Sequence, residues 1–461
     1  MIGKPLIIKP VITFYEYKRR EMTSWRPWGG VQTRKDLEEE IKRIENELRR
    51  LKEKAEFPLT IQPISVVEEE KDVCKLEKEI KEVDVLLIYA ATGSERLLIK
   101  LTEVAKWVIF FLRHKSGPVY LWYEVIHPIF LRGRTDYYVR EDVGVEDIVI
   151  DDYDEVLWRL RALYALKNTL GTRIIAIGGT SGWGLGYRLA PEIARKTWKL
   201  DIITVTYEEL AELIKKAKND PQIVEKARRL AEEYLKIPNT SLKTEEKYYQ
   251  NAFILYLVFK ELLEEYKAQA ITVAHCMGTI MPIAETTACL VLSLLNDEGY
   301  MAFCESDFTV IPSGILLHYL SGKPVFLNDP TTPHHGIVTI AHCTAPRKLD
   351  GRNYEPADIV THFESDFGAA PKVYMKKGQV VTIADPDFEN KLWIIFRARI
   401  VDSPSLQICR SQVDVEIDGD WKLLLKSMRG FHWMMVYGDY LKELEYALRK
   451  MGIEVLNISP E

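Results

Sequence analysis

The sequence predicts an α/β protein with two doubly wound parallel-sheet domains followed by a mostly antiparallel β C-terminal domain, and three observations carry that prediction. Short apolar runs such as VDVLLIYA and TRIIAIGG pass through a turn into a helical pattern, and this order recurs through the first 345 residues. The alternation comes in two runs, one before and one after Gly171, and short buried strands that alternate with helices make parallel, Rossmann-like sheets. Beyond about residue 345 the long helices give way to hairpin-like strands. The expected domains are 1–169, 170–345 and 346–461, in a chain of 461 residues that is too long for one ordinary core.

Taken in order, PLIIKPVITFYEY reads as an edge strand and MTSWRPWGGVQT as a loop rich in Trp, Gly and Pro. In KDLEEEIKRIENELRRLKEKAEF, Leu37, Ile41, Ile44, Leu48 and Leu51 recur at three- and four-residue steps, which predicts a surface helix with one apolar stripe. LTIQPISVV and a charged helix follow, then VDVLLIYAATGSERLL, WVIFFLRHKSGPVYLWYEV, TRIIAIGGTSGWGLGYRLAPEIARKTW and LDIITVTYEELAELIKKA. Further on, AITVAHC, YMAFCESD and KPVFLND are apolar runs with helical segments between them. In the last part, KVYMKKGQVVTIADPDFENKLWIIFRARIVDSP and CRSQVDVEID read as hairpin strands with turns at Lys377-Gly378 and near Asp385-Pro386, closed by the helix LKELEYALRKMG.

Apolar residues make up 47% of the chain and charged residues 28%, with a net charge of −6, which describes a soluble globular protein and implies neither a nucleic-acid nor a membrane partner. No run reaches the ~18 apolar residues of a membrane span, and the N-terminus lacks a signal-peptide pattern. The six cysteines are scattered without a C-x-x-C pair, which favours reduced thiols and a cytoplasmic location. Abundant Lys and Glu with little Asn and Gln point to a thermophile, a setting in which intracellular disulfides also occur.

Among the candidate site residues, GGTSGWGLG (178–186) follows a strand and opens a helix, yet its glycines are not spaced as a dinucleotide or phosphate loop. It suits a turn that lines a cleft at the carboxyl end of a sheet. Thr92, Gly93 and Ser94 read as a helix cap. His275 and His342 each end an apolar run beside Cys276 and Cys343, and read as packing or supporting residues. Of His334 and His335, at most one can face a site, because neighbours on a strand point opposite ways.

Glu305 and Asp329 form the strongest pattern. Each ends an apolar strand, with VIPSGILLHYLSG as the crossover helix between them, so both are expected on the carboxyl edge of one parallel sheet, on adjacent strands. Converging carboxylates repel unless a proton or cation lies between them, which a divalent metal supplies; the equal alternative is that each acid caps the following helix N-terminus or pairs with a Lys or Arg.

CESDFTVIPSGILLHYLSGKPVFLNDP, IAHCTAPRKLDG and GFHWMMVYGDYLKELEYALRKMGIEV together resemble the L-fucose isomerase family, especially its shorter archaeal and bacterial members, and through them the related L-arabinose isomerases. The resemblance is strongest over 270–345 and 425–455, and fainter in TGSERLL and IGGTSGWGLG. It implies a manganese site held by Glu305, Asp329 and His432, with Co²⁺ or Mg²⁺ as substitutes and the two acids as the catalytic pair. It also implies a homo-oligomer, hexamer or trimer, in which Trp25, Arg26 and Trp28 serve either a neighbour's site or a packed loop. Asp307, two residues past Glu305, reads as a helix cap or a supporting group.

The implied reaction is aldose–ketose isomerisation of an open-chain monosaccharide of the L-fucose/D-arabinose or L-arabinose type, by proton transfer through an ene-diol. The same residues admit a metal-dependent enzyme acting on another or modified sugar. Paired doubly wound domains also admit a non-catalytic sugar-binding or regulatory protein.

Overall fold

In the computed structural model, which describes residues 3–120 and 140–460, the apolar runs become strands and the amphipathic segments become helices. The chain forms two compact units, Ile2–Tyr164 and Ala165–Glu461.

The first unit holds β1 (Leu6–Thr13), β2 (Leu59–Ile61), β3 (Ser65–Val67), β4 (Val85–Tyr89), β5 (Trp107–Leu112) and β6 (Ile148–Ile150) in one parallel sheet of order β2-β1-β4-β5-β6, with β3 also on β1. The edge-strand expectation for the N-terminal run is therefore wrong: β1 has neighbours on both sides. Its Lys9 and Pro10 fit because β2 ends its pairing at Ile8 and β3 begins at Val11. The proline, which lacks an N–H for a ladder, falls in that gap, where the Lys9 ammonium donates to the Pro63 carbonyl at 2.6 Å. The long helix is Arg34–Lys54, capped by Thr33, and it buries Leu37, Ile44, Leu48 and Leu51 of the expected stripe. Ser94 caps the helix Glu95–Val104. The end of the WVIFFLRHKSGPVYLWYEV segment lies outside the described residues.

The second unit contains β7 (Arg173–Ile177), β8 (Asp201–Val205), β9 (Thr240–Leu242), β10 (Ala270–Val273) and β11 (Met301–Cys304). A four-stranded parallel sheet runs β11-β10-β7-β8. Then come β12 (Phe326–Pro330), β13 (Ile337–His342), β14 (Ala357–Val360), β15 (Ala370–Val373), β16 (Val380–Pro386), β17 (Leu392–Asp402), β18 (Ser411–Asp418), β19 (Trp433–Tyr437) and β20 (Glu454–Asn457). The order β16-β19-β12-β13-β18-β17 is antiparallel throughout, and β16 pairs back onto β17, so the six strands close into a barrel with β20 added outside on β17. Closure removes the open edges of a sheet. A small sheet β15-β14-β9 completes the unit.

The architecture is thus α/β, with two parallel sheets and a mostly antiparallel C-terminal sheet. One placement differs from expectation. β12, which carries Asp329, is not a neighbour of β11 in the parallel sheet but a barrel strand between β13 and β19. An apolar run of five residues looks the same whether its neighbours are parallel or antiparallel. What decides here is β13, whose hairpin return pairs Ala341 with Asp329 and Ile340 with Pro330. The turn near Asp385-Pro386 also moves: those residues end β16, and the chain turns over Asp387–Lys391 instead.

Candidate metal centre

The site is built where the end of β11 meets the barrel. β11 stops at Cys304, and Glu305 and Ser306 then take left-handed backbone conformations, with φ of 63° and 48°. Such conformations are disfavoured for side-chain-bearing residues and persist only where the surroundings impose them. Here the Ser306 N–H donates to Thr272 Oγ1 at 3.1 Å, and Ser181 clamps the turn on both sides: its N–H donates to the Ser306 carbonyl, and its own carbonyl accepts from the Phe308 N–H, both at 3.1 Å. Ser181 belongs to the glycine-rich turn after β7. Gly178 there has φ of 76°, and a Cβ on it would lie 2.1 Å from the Tyr207 ring, so the turn requires glycine.

The barrel supplies the rest. Asp329 near the end of β12, His342 at the end of β13 and His432 just before β19 converge. His432 Nε2 lies 3.3 Å from Asp329 Oδ1 and 3.6 Å from Glu305 Oε2, and His342 Nε2 lies 3.6 Å from Glu305 Oε1. His432 Nε2 thus lies within 3.6 Å of both expected acids, while Glu305 shares an ion-sized spacing with Cys304 and His342 rather than with Asp329. His342, which the sequence marks as a packing or supporting residue, stands beside them; the usable signal is that it ends an apolar strand, just as Glu305 follows one.

Both imidazoles are held from behind. His432 Nδ1 is 2.8 Å from Asp307 Oδ2, and His342 Nδ1 is 2.8 Å from Thr344 Oγ1, so each presents Nε2 to the common point. Asp307 is buried, and its Oδ1 accepts the Thr309 N–H at 3.0 Å. The loop that delivers His432 is anchored by Asp385, whose carboxylate accepts the Arg429 and Gly430 N–H groups at 2.7 and 2.9 Å. Trp183, from the glycine-rich turn, donates its indole N–H to Glu305 Oε2 at 3.2 Å and stacks on Phe431 with ring centroids 4.1 Å apart. The sequence marks this turn as a cleft lining without singling out Trp183, which only the direction of its indole N–H distinguishes.

Electrostatically the two carboxyls differ. Burial works to raise Glu305, but contact with His342 and His432 outweighs it and holds this carboxyl well below the usual range. Asp329 is pushed up, first by burial, against the two imidazoles and with Glu305 and Glu364 adding to the rise. For His432, burial acts downward, yet the Asp307 and Glu305 carboxylates overcome it and raise the imidazole to about 10.

Asp329 Oδ1 and His432 Nε2 are fully buried and have no hydrogen-bond partner, although they lie 3.3 Å apart. Buried polar atoms without a hydrogen bond call for a further partner, and a carboxylate oxygen with an imidazole nitrogen that has released its proton could take a divalent cation there. The ligand atoms of Asp329, His342 and His432 all lie within 4.8 Å of one another, a spacing that one ion spans.

A cavity of about 690 Å³ opens onto these groups. Its walls include Trp183, Tyr187, Met277, Met281 and Phe431, with five of the six cysteines among the rest. His275 lines it as well, with φ of 43°. His334 and His335 are not part of it: His334 Nδ1 is turned to the Thr332 carbonyl. Trp28 is exposed on the first unit, and the Arg26 guanidinium lies over the Trp25 ring. A scan against models of protein families finds no match, and a search of curated proteins finds no relative.

Proposed function

We propose that this chain is a metal-dependent aldose–ketose isomerase of the L-fucose isomerase type, acting on an open-chain monosaccharide. The observation that carries the reading is the pair of orphaned buried atoms, Asp329 Oδ1 and His432 Nε2, at an ion-sized spacing from His342 and with Glu305 Oε2 3.6 Å from His432 Nε2. Glu305, Asp329, His432 and His342 would hold the ion, and carboxylate-rich donor sets of this kind suit Mn²⁺, with Co²⁺ or Mg²⁺ as substitutes. When bound, it supplies Lewis acidity toward the C1 and C2 oxygens of the sugar.

The protein's own groups do the rest. One carboxylate of the Glu305/Asp329 pair removes the C2 proton as O1 gains one, giving the ene-diol, and the carboxyl so protonated returns its proton at C1 as O2 releases one. Asp307 and Thr344 fix the two imidazoles, so that neither Nε2 swings away from the sugar's oxygens. Trp183 anchors Glu305, and its stacked face with Phe431 offers an apolar wall to the C–H side of the carbon chain while keeping water from the reacting carbons. The same reading takes the parallel sheets as doubly wound, and the protein as a cytoplasmic trimer or hexamer.

The test is incubation of the protein with Mn²⁺ and L-fucose, D-arabinose, L-arabinose and D-altrose in deuterated water. Ketose formed with deuterium at C1 is the expected result. Ketose without that label would replace proton transfer by a hydride shift, and tight sugar binding without any turnover would replace the enzyme by a binding protein.

A further inference from the structure

Adjacent residues on a strand point to opposite faces, so Cys304 and Glu305 should not share a site. They do share one, because the left-handed backbone at Glu305 and Ser306 breaks the alternation at the end of β11. The Cys304 thiol and the Glu305 carboxylate both line the cavity, and their ligand atoms lie within 4.8 Å of each other and of a His342 imidazole nitrogen. His342 is thereby common to two groups of three: one with Asp329 and His432, the other with Cys304 and Glu305. Since Thr344 occupies Nδ1 of His342, Nε2 alone is free, and it can serve only one ion at a time.

The two groups differ in chemistry. Aspartate with two imidazoles, beside Glu305, favours a cation that prefers oxygen and nitrogen. Thiolate, imidazole and carboxylate with an open fourth position is the ligand set of zinc and its heavier congener cadmium. On a tetrahedral zinc the ligand atoms sit roughly 3.3–3.6 Å apart, given bonds of about 2.0–2.3 Å. His342 Nε2 and Glu305 Oε1 already stand 3.6 Å apart, and Cys304 Sγ lies within 4.8 Å of both residues' ligand atoms.

We infer that Cys304, Glu305 and His342 form a second metal position, selective for a thiophilic divalent ion, which excludes occupation of the Asp329–His342–His432 position by competing for His342. Cys304 binds as the thiolate and its proton passes to solvent. Zinc or cadmium drawn to the thiolate takes His342 and Glu305 from the Asp329/His432 side, so a soft ion shuts out the hard one. The thiols of Cys276 and Cys289 line the same cavity and give such an ion a polarisable approach. The inference rests on these donors and holds whether or not the chain isomerises a sugar.

The test uses the full-length protein, freed of metal and titrated with Cd²⁺ while the ultraviolet thiolate-to-cadmium charge-transfer absorption is followed. The band is expected to saturate at a single cadmium per chain, to vanish in Cys304→Ser and in Cys304→Ala, and to survive in Cys289→Ser and Cys343→Ser. Two replacements at Cys304, each checked by circular dichroism and thermal unfolding, guard against a fold defect in either. Excess Mn²⁺, which gives no such band, is expected to shift the cadmium titration to higher concentration. A band that persists without Cys304 or is lost with Cys343 overturns the site, and additive binding of manganese and cadmium overturns the shared use of His342.

Discussion

Each unit buries a cluster of charged side chains, and the two clusters are finished differently. In the first unit Arg113 is fully buried between Glu40 and Glu47: its Nε donates to Glu40 Oε1 at 2.5 Å and its Nη2 to Glu47 Oε2 at 2.6 Å. Tyr120 and Tyr153 donate to the same two carboxylates, and Arg43 covers Glu40 Oε2 at 3.1 Å. Glu40 Oε2 makes no hydrogen bond, but a guanidinium charge stands beside it. In the second unit the Glu305–Asp329–His342–His432 cluster leaves Asp329 Oδ1 and His432 Nε2 without one. A satisfied network holds a fold together, whereas buried polar atoms without a hydrogen bond call for a further partner such as water or an ion.

The largest effect is expected in the satisfied network. Arg113→Met strands the buried Glu40 carboxylate, and removing one partner of a buried pair typically costs about 3–5 kcal/mol. Urea unfolding of the full chain reads this as loss or early melting of the first unit. A loss under about 1 kcal/mol would remove the network from the list of structural pairs.

The same operation on the incomplete network should act on binding instead. Asp329→Asn removes charge from a crowded pair of carboxylates, so stability should change by less than about 1 kcal/mol. Mn²⁺ affinity, read by electron paramagnetic resonance, should fall at least 100-fold, or about 2.7 kcal/mol at about 1.4 kcal/mol per factor of ten. Asp307→Asn keeps the shape but weakens the grip on His432 Nδ1, and losing an outer partner of a ligating imidazole typically costs about 10–100-fold in metal affinity. Unchanged manganese binding in Asp329→Asn would make the orphaned atoms a packing accident.

Asp385 sharpens the contrast, because it is a buried carboxyl held by backbone N–H groups and raised by burial to about 7 from an ordinary 3.8. Below pH 3.8 both folded and unfolded forms carry the proton, and its contribution is fully present. As pH climbs toward 7 the unfolded chain releases the proton while the folded one keeps it, so stability falls by up to about 1.4 kcal/mol per pH unit and the contribution is gone above the folded value. Asp385→Asn should flatten that part of the stability–pH curve. A curve with the same slope in the variant would place the titration elsewhere.

How much of this was legible in the sequence follows from what local pattern can encode. Glu305 stood out because a carboxylate at an apolar strand end is visible along the chain. Asp329 stood out for the same reason, but its sheet did not, since a five-residue apolar strand does not declare its neighbours. His432 is joined to the others only by tertiary folding, so no spacing could reach it and the resemblance alone singled it out. His342 reads in the sequence as packing or support and Trp183 as one residue of a cleft-lining turn, and what distinguishes them is the direction of one ring nitrogen and of one indole N–H. The left-handed turn at Glu305 and Ser306 has no glycine to announce it, which hid the pairing of Cys304 with Glu305.

The smallest expected effect separates the two imidazoles. His432 is backed by a carboxylate and His342 by a neutral hydroxyl, each at 2.8 Å. A hydrogen bond between neutral groups contributes about 0.5–1.5 kcal/mol, and one to a charged group about 1.5–3 kcal/mol. Thr344→Val, which keeps the shape and removes the hydroxyl, should therefore weaken metal binding by about threefold to tenfold, less than Asp307→Asn does. Isothermal titration of both variants with manganese orders the two. If Thr344→Val proves the more damaging, His342 rather than His432 is the imidazole on which the centre chiefly depends.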